Sequence, residues 1–369
     1  MYQQTSKSKE EKLDNYGQLY FTGIEGKTLT EEEKAFIKEE KIGGVILFSQ
    51  NFQDPSQLAE LVNSIQKLRD DYPLFIGVDH EGGRVQRFQT HFSLFPSMHE
   101  VAKLDSPKMV FEIHQQMAKE LAACGINLSF SPCCDVLTNP TNSVIGNRSY
   151  GSDPQVVEKF ISAAIRGLQT SGLLSCAKHF PGHGDTTQDS HVDLPLVKTS
   201  LEVLKSRELI PFVKASKSRV EFMMMGHLLV DALDEKSPTT LSTAAYEFLR
   251  RETKFSKIVI TDDMDMRAIS DRFTPEVSGM GALIAGADMV MFKSMENAKK
   301  SLLALREASK KRLIKKEILT EKLSRVEKSK KEFLSTYQPI YIPKISEVFH
   351  SNESKNLKDL LQKQLSALV

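Results

Sequence analysis

The chain has 369 residues, enough for one large α/β domain or two smaller ones. Its 40% hydrophobic content is ample for a core, and 49 basic against 48 acidic residues leave a net charge of +1. That balance gives no reason to expect nucleic acid or an anionic membrane as a partner.

Residues 1–17 read as a polar tail. Residues 1–12 hold no apolar stretch of the kind a signal peptide needs. Nowhere does the chain reach about 18 uninterrupted apolar residues, so no membrane span is expected. From there, short apolar runs alternate with longer amphipathic stretches. A strand is expected over residues 19–24, then a helix over 30–40. Strand 43–48 precedes helix 55–68, and strand 74–78 precedes helix 107–124. Strand 126–131 is followed by helix 154–170, and strand 173–177 by helix 200–216. Strand 220–225 leads to helix 243–253, and strand 257–260 to a helix ending near Ala285. Residues 288–292 form the last strand.

Eight strand candidates, each followed by a helix candidate, predict a single (β/α)8 TIM-type barrel over residues 18–298. The rival is a doubly wound open sheet, but no G-x-G-x-x-G follows the first strand. Residues 299–369 form a C-terminal helical extension, packed on or trailing the barrel. Residues 299–334 are rich in Lys, Arg, Glu and Leu and read as one or two charged amphipathic helices. The runs Lys310-Lys311-Arg312 and Lys328-Ser329-Lys330-Lys331 read as a solvated face. A final helix is expected over 351–369. Cys124, Cys133, Cys134 and Cys176 lie in or beside apolar runs without zinc-site spacing, as reduced core thiols in a cytoplasmic protein do.

The chemistry gathers where the strands end. Lys178-His179-Phe180-Pro181-Gly182-His183-Gly184-Asp185-Thr186-Thr187-Gln188-Asp189-Ser190-His191 packs three His, two Asp and a Lys into a Gly/Pro-rich loop. Other strands run into Asp79-His80-Glu81-Gly82-Gly83-Arg84-Val85-Gln86-Arg87, towards Asp135, into Gly226-His227, and into Thr261-Asp262-Asp263. An Asp after a strand often only caps the next helix. Five polar strand ends on one rim, however, are what a barrel enzyme presents. Asp262 is the best nucleophile candidate, since a carboxylate at the barrel mouth can attack an anomeric carbon. Asp263 is the runner-up. Asp189 lies two residues from His191, a spacing that lets it orient the imidazole and stabilise its cationic form. Lys178, Arg87, Arg148 and Asp79 are binding candidates, because sugar hydroxyls suit such donors and acceptors. His179, His183, His191, Asp185 and Asp189 are all potential metal ligands, but the loop lacks H-E-x-x-H or comparable spacing, so no catalytic metal is expected.

At these residues the chain resembles the β-N-acetylhexosaminidases of glycoside hydrolase family 3, particularly bacterial β-N-acetylglucosaminidases of cell-wall recycling. The long loop is similar to that family's K-H-[FI]-P-G-[HL]-G-x-x-x-x-D-[ST]-H pattern at every fixed position. Residues 78–88, Gly146-Asn147-Arg148-Ser149-Tyr150 and Ile260-Thr261-Asp262-Asp263-Met264 also fit, in family order from roughly residue 18 to 295. The resemblance implies Asp262 as nucleophile and His191 as acid/base, with Asp189 completing its dyad. It implies Asp79, Arg87, Arg148, Lys178, His179 and His227 as contacts to a terminal N-acetylglucosamine. A His in place of the second carboxylate departs from the usual glycosidase, so the carboxylate-separation rule does not transfer. A mobile loop is expected to bring His191 over the sugar, with Gly182 and Gly184 helping it move. The implied substrate is N-acetylglucosaminyl-β-1,4-anhydro-N-acetylmuramic acid, with or without peptide, cut by a cytoplasmic monomer. Glycosyl transfer to phosphate, a β-glucosidase specificity, and a sugar-binding barrel without catalysis are the alternatives.

Overall fold

The computed structural model of the protein describes residues 15–69, 71–186, 193–334, 336–349 and 351–368. Among them, eight parallel strands close into a barrel. They are β1 (Tyr20–Thr22), β2 (Gly44–Leu47), β3 (Phe75–Val78), β4 (Leu128–Ser129), β5 (Leu174–Phe180), β6 (Phe222–Met225), β7 (Ile258–Asp263) and β8 (Met289–Phe292). Each pairs with the next in sequence, and β1 closes on β8 with Phe21 opposite Met291. That last pairing makes the expected (β/α)8 barrel and excludes the open sheet.

One helix follows each strand: α1 (Glu31–Glu39), α2 (Pro55–Gln66), α3 (Pro107–Ala123), α4 (Pro154–Gln169), α5 (Leu209–Lys217), α6 (Thr243–Thr253), α7 (Pro275–Ala285) and α8 (Met295–Lys310). Their starts are written locally. Asp54, Ser106 and Asp153 each accept a backbone N–H of the first turn, and Pro follows each at a position whose own N–H would be orphaned. Helices cover the outside of the sheet and side chains fill the inside, so strands such as Gly44-Val45-Ile46-Leu47 are buried on both faces. The expected helix over 200–216 is interrupted by a π-helical turn at Leu204–Glu208 before α5. Pro211 explains it, having no N–H to offer the carbonyl one turn back.

Aromatic rings pack the barrel interior. Phe75 stacks on Phe21 at 6.1 Å and meets Phe222 edge-on at 5.1 Å, while Phe130 meets Phe21 at 5.9 Å. Glycine makes the room: a Cβ on Gly44 would lie 2.5 Å from the Phe21 ring, and one on Gly77 2.6 Å from Phe130.

The extension is part of the packed molecule. Helix α8 spans residue 299 and buries Leu302 and Leu305. Helix α9 (Lys316–Phe333) carries Lys330, which is not on a solvated face as its sequence suggests but fully buried. Its ammonium nitrogen donates to Gln18 Oε1 at 2.9 Å and to the Gly43 carbonyl at 2.8 Å, 5.0 Å from the Phe75 ring centroid. It thereby closes the amino-terminal end of the barrel. Helix α10 (Asn352–Ser366) lies against α3, with Lys119 on Glu353 at 3.1 Å and Leu361 buried, while Phe349 just before it packs on Phe92. Among the described residues no helix is long and apolar enough to cross a membrane.

Burial pushes the Lys330 amine well below its ordinary value, and Arg69 adds to the effect. The folded state therefore releases this proton at a lower pH than the unfolded chain, whose lysine has an ordinary value of about 10.4. The unfolded state binds more protons throughout that window, so stability rises with pH until the unfolded lysine also deprotonates. Lys330→Met removes this contribution. Its urea midpoint should rise less between pH 7 and pH 9 than that of the wild type, and equal slopes would refute a lowered buried amine.

Candidate active site

The carboxyl ends of the strands surround a pocket of about 400 Å³, within the usual range for a small-molecule site. Its walls come from β2, the hairpin after β3, the loop after β4, and the ends of β5, β6, β7 and β8. Asp79, Arg87, Arg148, Lys178, His179, Asp262 and Asp263, singled out from four separate stretches of sequence, all line it.

Strand β5 runs beyond residue 177 to Phe180, so Lys178 and His179 stand on the strand rather than in the loop. Its register with β6 shifts between Ala177 and Phe180, an irregularity that re-aims side chains which would otherwise alternate across the sheet. The Lys178 ammonium is buried, 2.7 Å from Asp79 and 2.7 Å from Glu81. Asp79 also accepts from Arg87 at 3.1 Å. Glu81 receives Arg148 as a two-pronged pair at 2.9 and 2.7 Å. Burial alone would raise the Asp79 carboxyl, but Lys178 and Arg87 outweigh it and hold the group well below the usual carboxylate range. Glu81 is lowered in the same way, burial losing to Arg148 and Lys178. Glu81 is the residue that sequence reasoning passed over. Its signal was its place two residues after Asp79, although that spacing does not reveal that it bridges two cations.

Asp135 secures the end of β5. Its Oδ2 lies 2.7 Å from His179 Nδ1, and its Oδ1 accepts the His183 backbone N–H at 2.7 Å. His179 Nε2 then faces Arg148 at 3.4 Å. Cys133 Sγ, Asp135 and His179 form a cluster of potential metal ligands. Its atoms are already engaged with one another, the Cys133 thiol donating to Asp135 at 3.1 Å. Burial and the neighbouring Asp135 push that thiol well above its ordinary value, away from the thiolate a metal needs.

The stem of the long loop is packed rather than hinged. A Cβ on Gly184 would lie 1.7 Å from the Val136 carbonyl oxygen, so only glycine fits. Gly182 has φ +129°, with Glu208 where a Cβ would meet it at 3.0 Å. In this conformation both glycines are required by close packing. His183 Nδ1 bonds Thr186 Oγ1 at 2.8 Å, and Asp185 takes Thr138, Thr199 and Arg207. Asp189 and His191, the expected acid/base dyad, lie outside the described residues.

The two carboxylates of β7 are in different states. Asp262 is lowered below its ordinary value, burial being outweighed by His179, His227, the Asp263 N–H and Lys178. Asp263 is pushed up to about 7 by burial and by Asp265. Its Oδ1 accepts the N–H groups of Asp265 and Lys293, each at 3.0 Å. Asp262 is thus the anion available to attack, and Asp263 pins the following turn. His227, expected as a sugar contact, is instead buried behind this strand and absent from the pocket wall. Its Nε2 bonds the Asp263 carbonyl at 2.9 Å and its Nδ1 bonds Thr240 at 2.6 Å.

Residues 10–329 match the glycosyl hydrolase family 3 N-terminal domain. A protein named beta-hexosaminidase from Alkalilimnicola ehrlichii is 36% identical over 275 residues, covering 73% of this chain and 78% of that protein. The solved glycoside hydrolase family 3 beta-N-acetylglucosaminidase from Paenibacillus sp. superposes with a TM-score of 0.88 at 32% identity, covering 95% of this chain and 68% of that one. Native NagZ from Neisseria gonorrhoeae superposes with a TM-score of 0.78 at 29% identity, covering 94% of this chain and 97% of that one.

Removing one member of a buried ion pair leaves the others uncompensated, at roughly 3–5 kcal/mol. Glu81→Gln strips a partner from both Arg148 and Lys178, so urea denaturation should show a stability loss of about that size. A change below about 1 kcal/mol would mean that the two cations find other acceptors.

Proposed function

The chain belongs to glycosyl hydrolase family 3 and is a glycosidase of the β-N-acetylglucosaminidase type. On that premise we propose that it removes terminal β-linked N-acetylglucosamine from peptidoglycan fragments, with retention, through a covalent glycosyl-enzyme intermediate. The substrate is N-acetylglucosaminyl-β-1,4-anhydro-N-acetylmuramic acid, with or without peptide. The protein works in the cytoplasm as a monomer, without a cofactor. Four buried free cysteines suit a reducing compartment.

The observation that carries this reading is the Asp262 carboxylate, ionised in a pocket lined by hydrogen-bonding side chains. Asp79, Arg87, Arg148, Lys178 and His179 bind the hydroxyl and acetamido groups of the terminal sugar and set its anomeric carbon before Asp262. Ion pairs lock their rotamers in advance, so little order remains to be imposed when the sugar arrives. Asp262 attacks that carbon while the leaving oxygen takes a proton from His191, whose imidazolium Asp189 stabilises. His191 then removes a proton from water, which attacks the same carbon and releases Asp262. The roles of His191 and Asp189 rest on the sequence of their loop.

The test is product analysis on 4-nitrophenyl N-acetyl-β-glucosaminide and the matching glucoside, with and without phosphate. Free N-acetylglucosamine from the first substrate alone supports the proposal. Sugar 1-phosphate would make the enzyme a phosphorylase, and preference for the glucoside would overturn the specificity. Asp262→Ala should keep its circular dichroism spectrum and lose at least about 10⁴-fold in turnover. Near-normal activity would remove it as the nucleophile. His191→Ala should slow a disaccharide far more than the nitrophenyl glycoside, whose leaving group needs little protonation. Equal losses on both would exclude it as the acid.

A further inference from the structure

A groove on the flank of the barrel shares no residue with the pocket at the carboxyl ends of the strands. It opens between α6, α7 and α9, beside the amino-terminal end of β8, and holds about 670 Å³. Its floor is built on Asp288, the fully buried residue before β8. One Asp288 oxygen accepts the Val259 N–H at 2.7 Å and Arg250 at 2.6 Å, and the other accepts Arg325. Lys322 completes the floor. It is only 6% exposed, lines the groove, and makes no hydrogen bond or ion pair among the described residues.

Three cations thus gather around one carboxylate whose two oxygens are already taken, and Lys322 is the one left without an acceptor. Burial pulls its amine down to about 8; Asp288 opposes this, while Arg325 and Arg250 add to it. The other charges of the groove stand at its exposed edge. There Arg325 donates to Glu321 at 2.5 Å, Arg251 to Glu252 at 2.9 Å, and Glu247 faces solvent. The acids of the edge are solvated and screened, whereas the cations of the floor are not.

From this placement we infer that the groove binds a phosphate monoester of a small molecule, whose oxygens close on Lys322 while its body lies along Ala285, Gly286 and Ile318. The volume suits a ligand larger than a bare ion, and those three residues give it an apolar wall. A phosphate monoester brings a charge of about −2 and three acceptor oxygens, enough to reach Lys322 and the outer N–H groups of both guanidiniums. A carboxylate brings one charge and two oxygens. The site lies outside the glycosidase reading and does not depend on it.

The test is calorimetric titration of the full chain at pH 7, in chloride buffer, with phenyl phosphate, benzoate and inorganic phosphate. Phenyl phosphate should bind one to one and more tightly than the other two. Lys322→Gln should weaken it at least about tenfold, as loss of one charge-assisted hydrogen bond does. The same variant should keep its kcat/KM on 4-nitrophenyl N-acetyl-β-glucosaminide in phosphate-free buffer. Lys322→Arg should retain most of the affinity, and Glu247→Gln should raise it. Equal affinity for benzoate overturns the dianion, and equal affinity for inorganic phosphate overturns the organic body. Undiminished binding in Lys322→Gln places the anion elsewhere and overturns the site, as does no binding at millimolar concentration. Lys322→Met guards against misfolding: without ligand its urea midpoint should rise, because it removes a charge that the fold leaves unpaired. A lower midpoint would show the ammonium to be paired within the fold and overturn the inference.

Discussion

The Lys178 ammonium is the constraint on which the rest of the site depends. It is buried on a barrel strand, where an unpaired charge costs several kcal/mol, so its carboxylates must be in place when the barrel closes. Asp79 and Glu81 fill that role from the loop after β3, two strands away, and each has a second lobe that takes an arginine. One buried cation thereby orders two acids, and those acids order Arg87 and Arg148. The binding groups are thus arranged by the charge balance of the fold before any ligand arrives, which is the condition for recognising a neutral sugar through hydrogen bonds.

The barrel was legible because a parallel sheet covered on both faces demands short, continuous apolar runs, and each of the eight is visible as one. Helix starts were equally plain at Asp54-Pro55, Ser106-Pro107 and Asp153-Pro154. What sequence reading placed wrongly are the polar ends of strands. Lys178 and His179 look like loop residues until their partners are known, because only Asp79, Glu81 and Asp135 make their burial tolerable. Lys330 fails for the same reason: nothing in a run of lysines says which one will find two acceptors at the bottom of a barrel. His227 was read as a pocket residue from its place after a strand, yet its hydrogen bonds to Thr240 and Asp263 turn it into a support for the β7 turn.

Asp262 and Asp263 show how far the environment, rather than residue type, sets chemistry. They are adjacent, partly buried and identical in structure. Asp262 has His179, His227 and Lys178 around it and stays ionised. Asp263 is pushed up to about 7 by burial and by Asp265. The backbone N–H groups that Asp263 accepts help lower it, but burial and Asp265 prevail. The carboxylate proposed as nucleophile and a turn anchor are thereby distinguished without any difference in residue type.

The same logic separates the two buried lysines at opposite ends of the barrel. Lys178 meets carboxylates, and burial loses to them, so its amine is raised and stays charged. Lys330 meets an amide oxygen and a peptide carbonyl, which are neutral acceptors, and burial wins. One end of the barrel is closed by a buried amine beside the Phe75 ring, whose charged form burial disfavours. The other end holds a network of ions that only makes sense around a polar ligand. The direction in which a (β/α)8 barrel points its chemistry is thus written in this chain by the acids gathered at the carboxyl ends of the strands, while Lys330 at the other end donates to an amide oxygen and a peptide carbonyl.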